Sequence, residues 1–380
     1  MEKNNKTLNV PNLRFPEFSE EWESTPISTI ADIVGGGTPD TSVDEYWGGN
    51  IQWFTPSEIG KEKYAYLSDR TITEAGLKNS SAKLLPQGTV LLSTRATIGE
   101  CSIATAECTT NQGFQSLVAK KNNVSSEFLY YIVTKIKKEM LRRSCGSTFL
   151  EISANELKKI HTNIPSKTEQ DKLVSLLSLI DQRIETQKKI IGDLKKLKDA
   201  IRTKLFTSLE SHCNEYDEIR NMLHYEQPSA YLVNSTEYSE DYPIPVLTAN
   251  KAFILGYTDE EYGVYDKGDC IIFDDFTMDL KYVTFPFKIK SSAIKILTPR
   301  QNIDLYFIYE YFLYLGLVSE EHKRHYISEI ESMSIIRPQL KEQRQISQSL
   351  QSLEMQVGNA ITLQKLLAKQ KQHLLSQMFI

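Results

Sequence analysis

The sequence predicts a mixed α/β protein: two globular domains separated by two long α-helices, the helices forming an antiparallel coiled coil with pseudo-two-fold symmetry. Three observations predict this. One helical pattern occurs twice at a constant offset of 173 residues. Each copy follows a series of short β-rich runs and a shorter helix. And 380 residues exceed what one compact core usually holds. Long-period self-similarity of this kind fixes an architecture before local propensity does. Two like halves in one chain tend to arrange themselves about a two-fold axis. If that axis crosses the helices, they lie antiparallel.

The first domain, residues 1–165, has β-rich runs at 51–54, 90–93, 101–104 and 116–118 between turn signals, then a helix expected over 125–143. The central helix, 166–206, opens on Pro165-Ser166-Lys167-Thr168-Glu169-Gln170. Ser166 at the N-cap and Glu169 three residues later fit a capping box. Apolar residues then step by four and three through Leu173, Leu177, Ile180, Ile184, Ile191 and Leu194, with Gln187 interrupting. That is the seam a helix pair needs, and one polar position in it fixes register.

The second domain, 207–337, repeats the order, with runs at 245–248, 270–273, 282–285 and 293–297 and a helix over 304–317. The C-terminal helix, 338–380, opens on Pro338-Gln339-Leu340-Lys341-Glu342-Gln343. It continues through Ile346, Leu350, Leu353, Val357 and Leu367. It keeps the proline and the Glu but lacks the capping Ser. Helices of roughly forty residues exceed ordinary globular lengths. At about 1.5 Å per residue each reaches about 60 Å.

Hydrophobic residues make up 40% of the chain, which fits folded domains rather than disorder. No run approaches ~18 apolar residues, so no membrane span is expected. The first residues lead into no apolar segment, so no secretory signal is expected. Five cysteines, none in a Cys-x-x-Cys pair, fit free thiols in a reducing, cytoplasmic setting. Charge is uneven: residues 167–206 carry +4 and 339–380 carry +3, whereas 207–338 carry −11. Nucleic-acid binders show a basic footprint. The second domain is therefore expected to hold a local basic face, or to leave phosphate contacts to partners.

No active site emerges. Residues 263–270 have the glycine spacing of a P-loop, but Asp269 and Cys270 stand where Lys and Ser/Thr must hold phosphate and Mg²⁺. Gly35-Gly36-Gly37 is a turn, not a dinucleotide fingerprint. His322 and His325 have i, i+3 spacing, yet a solvated basic loop explains them without a metal. Asp274 and Asp275, with Asp279 and Lys281, lack the second acidic anchor a nuclease needs. No Asn-Pro-Pro-aromatic tetrapeptide, the adenine-methyltransferase motif, occurs.

Residues suited to DNA concentrate in the first domain. Arg pairs bidentately with guanine, and Asn or Gln with adenine, which singles out Arg95, Asn111 and Gln112. Thr, Ser and glycine amides suit phosphates, which adds Gly36, Thr38, Thr94, Thr97 and Ser147. Trp53 offers a ring, and Lys138 and Arg142 share a basic helix face with Lys135. The second domain offers Thr248, Asn250, Lys251, Asp275, Thr277, Lys290 and Ser291. Taken singly, each has a plainer explanation as a turn, a core ring or a solvated face.

Several runs together resemble the specificity subunit of type I restriction-modification enzymes. They are Leu13-Arg14-Phe15-Pro16-Glu17-Phe18 with Trp22, Gly36-Gly37-Thr38-Pro39 leading to Tyr46-Trp47-Gly48-Gly49, Arg95-Ala96-Thr97-Ile98-Gly99, Thr110-Asn111-Gln112-Gly113-Phe114, and the twice-used Pro…Glu-Gln helix start. The resemblance spans essentially the whole chain. It implies two target-recognition domains, each reading one half of a bipartite, asymmetric double-stranded DNA site. It implies a coiled-coil spacer on which two adenine methyltransferase subunits dock, with restriction subunits added. It also implies that this subunit is non-catalytic and holds no cofactor, with S-adenosylmethionine, ATP and Mg²⁺ on the partners. A coiled-coil adaptor joining two proteins without reading DNA is the competing expectation, and the acidity of the second domain favours it.

Overall fold

In a computed structural model of the chain, which describes residues 9–146, 150–248, 253–319 and 325–380, the β-rich runs pair into small sheets and the helical repeats form two long helices. The chain divides into two compact units, residues 1–188 with 363–380, and residues 189–362. Each unit holds one globular domain and a piece of both long helices. The boundaries therefore cut across the helices, because each helix buries apolar residues against a globule.

The strands of the first unit are β1 (Glu23–Pro26), β2 (Ala31–Gly35), β3 (Trp47–Phe54), β4 (Tyr64–Ala65), β5 (Arg70–Ile72), β6 (Val90–Leu92), β7 (Cys101–Ala104), β8 (Cys108–Thr110), β9 (Gln115–Ala119) and β10 (His161–Ile164). They form a five-stranded sheet ordered β2-β9-β6-β7-β4, a three-stranded sheet ordered β5-β3-β8, and the pair β1-β10. Val90, Leu91 and Leu92 are fully buried, as a central all-apolar strand must be. Helix α1 (Ser126–Lys135) covers this core with Phe128, Leu129, Ile132 and Val133, and Ser125 caps its start by accepting from the Phe128 amide at 3.1 Å. The expected 125–143 helix breaks at Ile136. After the break, α2 (Lys137–Arg143) buries Met140 in the same core.

Helix α3 (Lys167–His212) continues past the expected end at 206, because Leu209 is still buried and no Gly or Pro intervenes. The expected capping box is replaced. Buried Glu169 takes two 2.8 Å hydrogen bonds from Arg14 and a 3.3 Å bond from the Trp22 indole. A carboxylate satisfied by a guanidinium fork is better placed than one turned back on a backbone amide. In this unit Leu173 and Leu177 share a core with Met378 and Phe379. The Phe379 ring stacks on Phe128 with centroids 5.5 Å apart.

The second unit holds β11 (Tyr216–Glu218), β12 (Leu223–Glu226), β13 (Ile244–Leu247), β14 (Ile254–Thr258), β15 (Cys270–Asp274), β16 (Leu280–Val283), β17 (Lys288–Ile289), β18 (Ile294–Pro299) and β19 (Ser334–Ile336). Their sheets run β12-β18-β15-β16, β14-β13-β17 and β11-β19. That is the order of the first unit without the β4 edge strand. The parallel pair recurs too, β3 with β8 and β13 with β17. Helix α4 (Leu305–Leu315) starts on an Asp304 cap and ends at Gly316, whose φ of 61° is the left-handed turn that glycine allows. Phe206 and Leu209 of α3 pack with Ile346 and Leu350 of α5 (Leu340–Met378) in the core of this unit.

Along the seam, Leu173, Leu177, Ile180, Ile191, Ile346, Leu350, Val357 and Leu367 are buried, while Ile184, Leu194 and Leu353 are half-buried. In the first unit the start of α3 meets the end of α5. In the second the end of α3 meets the start of α5. Among the described residues, no helix is long and apolar enough to cross a membrane.

Candidate nucleic-acid interface

In the first domain the chain leaves β6, turns over residues 95–99 and returns as β7. The turn is tied from beneath. The Ser93 hydroxyl meets the Thr97 hydroxyl at 2.8 Å and donates to the Arg95 carbonyl at 3.1 Å, and the Gly99 amide donates to the Ser93 carbonyl at 3.0 Å. Ala96 sits at φ 63°, a left-handed conformation unusual for a non-glycine residue and found where a loop is over-determined by its surroundings. Arg95, Ala96 and Thr97 are exposed at the tip.

A second loop approaches the first. The Asn111 amide donates to the Phe54 carbonyl at 3.1 Å, and the Asn111 side-chain oxygen accepts from the Gly113 amide at 2.8 Å. This Asx turn uses the carboxamide oxygen and leaves its NH₂ group without a partner among the described residues. The Thr38 hydroxyl donates to Gln112 Oε1, which brings in a third loop. Gly36 makes that approach possible, since a Cβ there would lie 2.1 Å from the Asn111 carbonyl oxygen. Arg95, Asn111 and Gln112 thus line one cleft of about 200 Å³, with Pro56, Ala96 and Gly113. Arg95 Nε stands 3.8 Å from Glu151, an exposed pairing of the kind worth little in water.

Other expected residues are placed differently. Trp53 is buried, donates its indole N–H to the Gly37 carbonyl at 2.9 Å and packs edge-on against Trp47. Thr94 is buried, and its amide and hydroxyl both donate to the Gly113 carbonyl. Both side chains hold the loops from within instead of facing outward. Lys138 is exposed on α2. Arg142 is exposed too and pairs with Glu139 at 2.8 Å. Hydrogen bonds from Arg142 and Arg143 hold the Glu139 carboxyl down at about 2. Lys135 does not continue that face. It lies on α1 and donates to the Phe379 carbonyl at 2.8 Å. Ser147 lies outside the described residues.

The second domain repeats the scaffold with different side chains. The Thr94 amide donates to Gly113 and the Asp275 amide to Ala293; the Asn111 amide donates to Phe54 and the Lys290 amide to Leu247; the Ile152 amide donates to Thr94 and the His325 amide to Asp275. These bonds equate Thr94 with Asp275 and Asn111 with Lys290. Phe276 therefore follows in the place of Arg95. Asp275 is buried and offers no carboxylate to a ligand. It accepts from the His325 and Tyr326 amides at 3.0 and 2.8 Å and faces buried Lys295 at 3.3 Å. Asp274 accepts from the Phe276 and Thr277 amides, so the acidic pair builds a turn.

Thr277 is exposed and donates to Asp279 at 3.1 Å; Ser291 is exposed and accepts from the Ala293 amide. Lys290 is exposed, with its ammonium 5.6 Å from the Tyr238 ring centroid. The Thr248 amide donates to the Phe253 carbonyl at 3.0 Å. Asn250, Lys251 and His322 lie outside the described residues. His325 contacts Ser319 and Glu329, and among the described residues no group of three metal-ligating side chains occurs.

The equivalence of the loops was not legible in the sequence. The helices repeat at an offset of 173, but the loops pair at 181 for Thr94 and Asp275 and at 179 for Asn111 and Lys290. Loop lengths differ, so no single shift aligns them.

With this geometry in place, comparisons with known proteins agree on one family. A family model described as the type I restriction modification DNA specificity domain matches residues 19–196. The MjaIX specificity subunit of Methanocaldococcus jannaschii is 38% identical over 221 residues, 57% of this chain and 51% of that one. The EcoR124I/EcoR124II specificity subunit of Escherichia coli is 47% identical over 117 residues, 29% of each chain. The chain thus spans about half the length, or less, of these curated relatives. The crystal structure of a type I restriction-modification S subunit from M. genitalium superposes with a TM-score of 0.61 at 16% identity, covering 98% of this chain and 99% of the other. At that identity the likeness speaks for the fold.

Proposed function

The chain belongs to the type I restriction-modification specificity-subunit family, and from that premise we propose that it reads a bipartite, asymmetric DNA site, one half per globular domain. The observation that carries this is the first domain's cleft, where loops distant in sequence bring an arginine, an asparagine and a glutamine together at one exposed rim. Those are the side chains that pair bidentately with guanine and adenine in the major groove. Thr97, Gly36 and Thr38 beside the cleft, and Lys138 and Arg142 on α2, supply phosphate contacts. In the second domain Thr277, Lys290 and Ser291 serve, with Thr248, Asn250 and Lys251. The matching strand orders of the two domains support one docking mode used twice.

The chain performs no chemistry of its own. It scaffolds two methyltransferase subunits, which bring S-adenosylmethionine, and restriction subunits, which bring ATP and Mg²⁺. An open groove of about 770 Å³ between residues 176–187 and 363–374, flanked by exposed Leu179 and Leu366, supports docking along the helices. The helices form an antiparallel coiled coil about a pseudo-two-fold axis and act as a ruler. The start-to-end packing within each unit supports that arrangement. The adaptor alternative draws on the −11 charge of the second domain, and a gel shift with the methyltransferase subunits present discriminates the two.

Methylome sequencing of cells carrying the complex is the deciding measurement. The native chain should yield one bipartite motif. Inserting a heptad in each helix, after Lys188 and after Thr362, keeps the seam in phase. It adds about 10 Å at ~1.5 Å per residue, or about 3 base pairs at ~3.4 Å each. The half-sites should stay the same while the spacer lengthens. An active variant that keeps the original spacer would show that the helices do not measure the DNA.

A further inference from the structure

Arg70 was not among the residues the sequence suggested. It lies on β5, at the open edge of the β5-β3-β8 sheet, and its side chain is exposed. Its guanidinium carbon sits 3.6 Å from the Trp47 ring centroid and 5.7 Å from that of Trp53. The two indoles pack edge-on at 5.0 Å and are pinned to one loop. Trp47 donates to the Asp40 carbonyl at 3.1 Å and Trp53 to the Gly37 carbonyl at 2.9 Å. That loop carries Thr38, which meets Gln112 in the cleft. Arg70 is thus fixed, through two rings, to the rim of the reading site.

Among the described residues no carboxylate pairs with Arg70. Nearby acids are turned elsewhere: Asp40 accepts from the amide and hydroxyl of Ser42, and Glu58 accepts from Thr55 and the Asp69 amide. Stacking on an indole satisfies the face of a guanidinium and leaves its N–H edge to solvent. That edge matches the fork of a phosphate, and a preorganised head loses little freedom on binding. The second domain sets another cation on a ring, Lys290 over Tyr238. Tyr238 packs on Gly256 of the edge strand β14, where a Cβ would come within 2.7 Å of it.

We propose that Arg70, held flat on Trp47, is a phosphate-binding residue of the first domain that grips the DNA backbone beside the half-site facing Arg95, Asn111 and Gln112. Its edge position, outside the cleft, assigns it to the backbone and not to a base. The assignment rests on the DNA-reading role proposed above.

The test uses the full chain with its co-expressed methyltransferase subunits. Binding is measured by fluorescence anisotropy on a duplex carrying the modified motif and on a scrambled duplex, across a KCl series. Arg70→Gln keeps a planar head without charge. It should weaken both duplexes by a similar factor and reduce the slope of log K against log salt by about one. Arg70→Lys should retain most of that slope. The methylated motif should be unchanged in both variants. An unaltered slope in Arg70→Gln, while an Arg95→Ala control loses affinity for the motif, overturns the phosphate role alone. Relaxed readout at one base in Arg70→Gln overturns it in favour of base contact. If no variant, Arg95→Ala included, alters binding, the DNA-reading role of the domain falls with it.

Discussion

Lys371 places its ammonium 2.6 Å from Asp181, and Lys198 places its own 2.6 Å from Glu354. Lys371 is Lys198 plus 173 residues, and Glu354 is Asp181 plus 173. The same contact is therefore made once in each unit, with the two helices exchanging the roles of donor and acceptor. Each pair is anchored to its own globule. Asp181 also accepts from the Tyr131 hydroxyl at 2.7 Å, beside Lys63, and Lys198 also meets buried Glu310 at 2.7 Å.

Asp181→Asn should destabilise the first unit by about 1–3 kcal/mol, because it leaves Lys63 and Lys371 facing each other's charge in a partly buried site. Burial already pushes the Lys63 amine below its usual pKa. Lys63→Met, which removes that buried charge and leaves the Lys371–Asp181 pair intact, should cost less. Urea denaturation of both variants checks the order, and a larger loss in Lys63→Met contradicts it.

Arg95→Ala, Asn111→Ala and Gln112→Ala should each relax or weaken readout of one half-site only, by about 1–3 kcal/mol per lost bidentate contact. Methylome sequencing reads the outcome. Gln112→Ala also frees the Thr38 hydroxyl and should loosen the rim. If all three variants modify the native motif at native occupancy, the residues merely shape the turn.

Asp275→Ala should act on stability and leave base choice alone. It strands Lys295, which is 1% exposed, and removes the acceptor for the His325 and Tyr326 amides. Breaking a buried ion pair by removing one partner costs about 3–5 kcal/mol. The second unit should melt earlier. A variant of native stability with an altered motif would return Asp275 to the DNA interface.

His212 ends α3 beside Glu342, with its ring 3.0 Å from the carboxylate. Hydrogen bonds to Glu342 and to the Ser208 carbonyl raise its pKa. A raised folded pKa favours the protonated form in the fold. The contribution is therefore fully present below the unfolded value of about 6.5 and is lost as pH rises through the folded value. His212→Gln should accordingly lower the thermal midpoint more at pH ~5.5 than at pH ~8. Equal losses at both values would show that the pairing is not charge-dependent.

The sequence by itself determined the periodic part of this protein. Two helices, their seam residues, the strand–helix order of each half and the resemblance to one family all follow from spacing and from short motifs. Periodicity dictates which face of an element is apolar, and burial at Leu173, Leu177, Leu350 and Val357 obeys it. Tertiary structure alone decided where the side chains in and around the loops point. Trp53, Thr94 and Asp275 turned inward because distant backbone groups needed partners. Glu169 left its own helix cap for Arg14, 155 residues earlier. Arg95 and Gln112, distant in the chain, met in one cleft, and Arg70 came to rest on Trp47. Loops have no period, so their hydrogen bonds and ring contacts are fixed by whatever the fold brings alongside them.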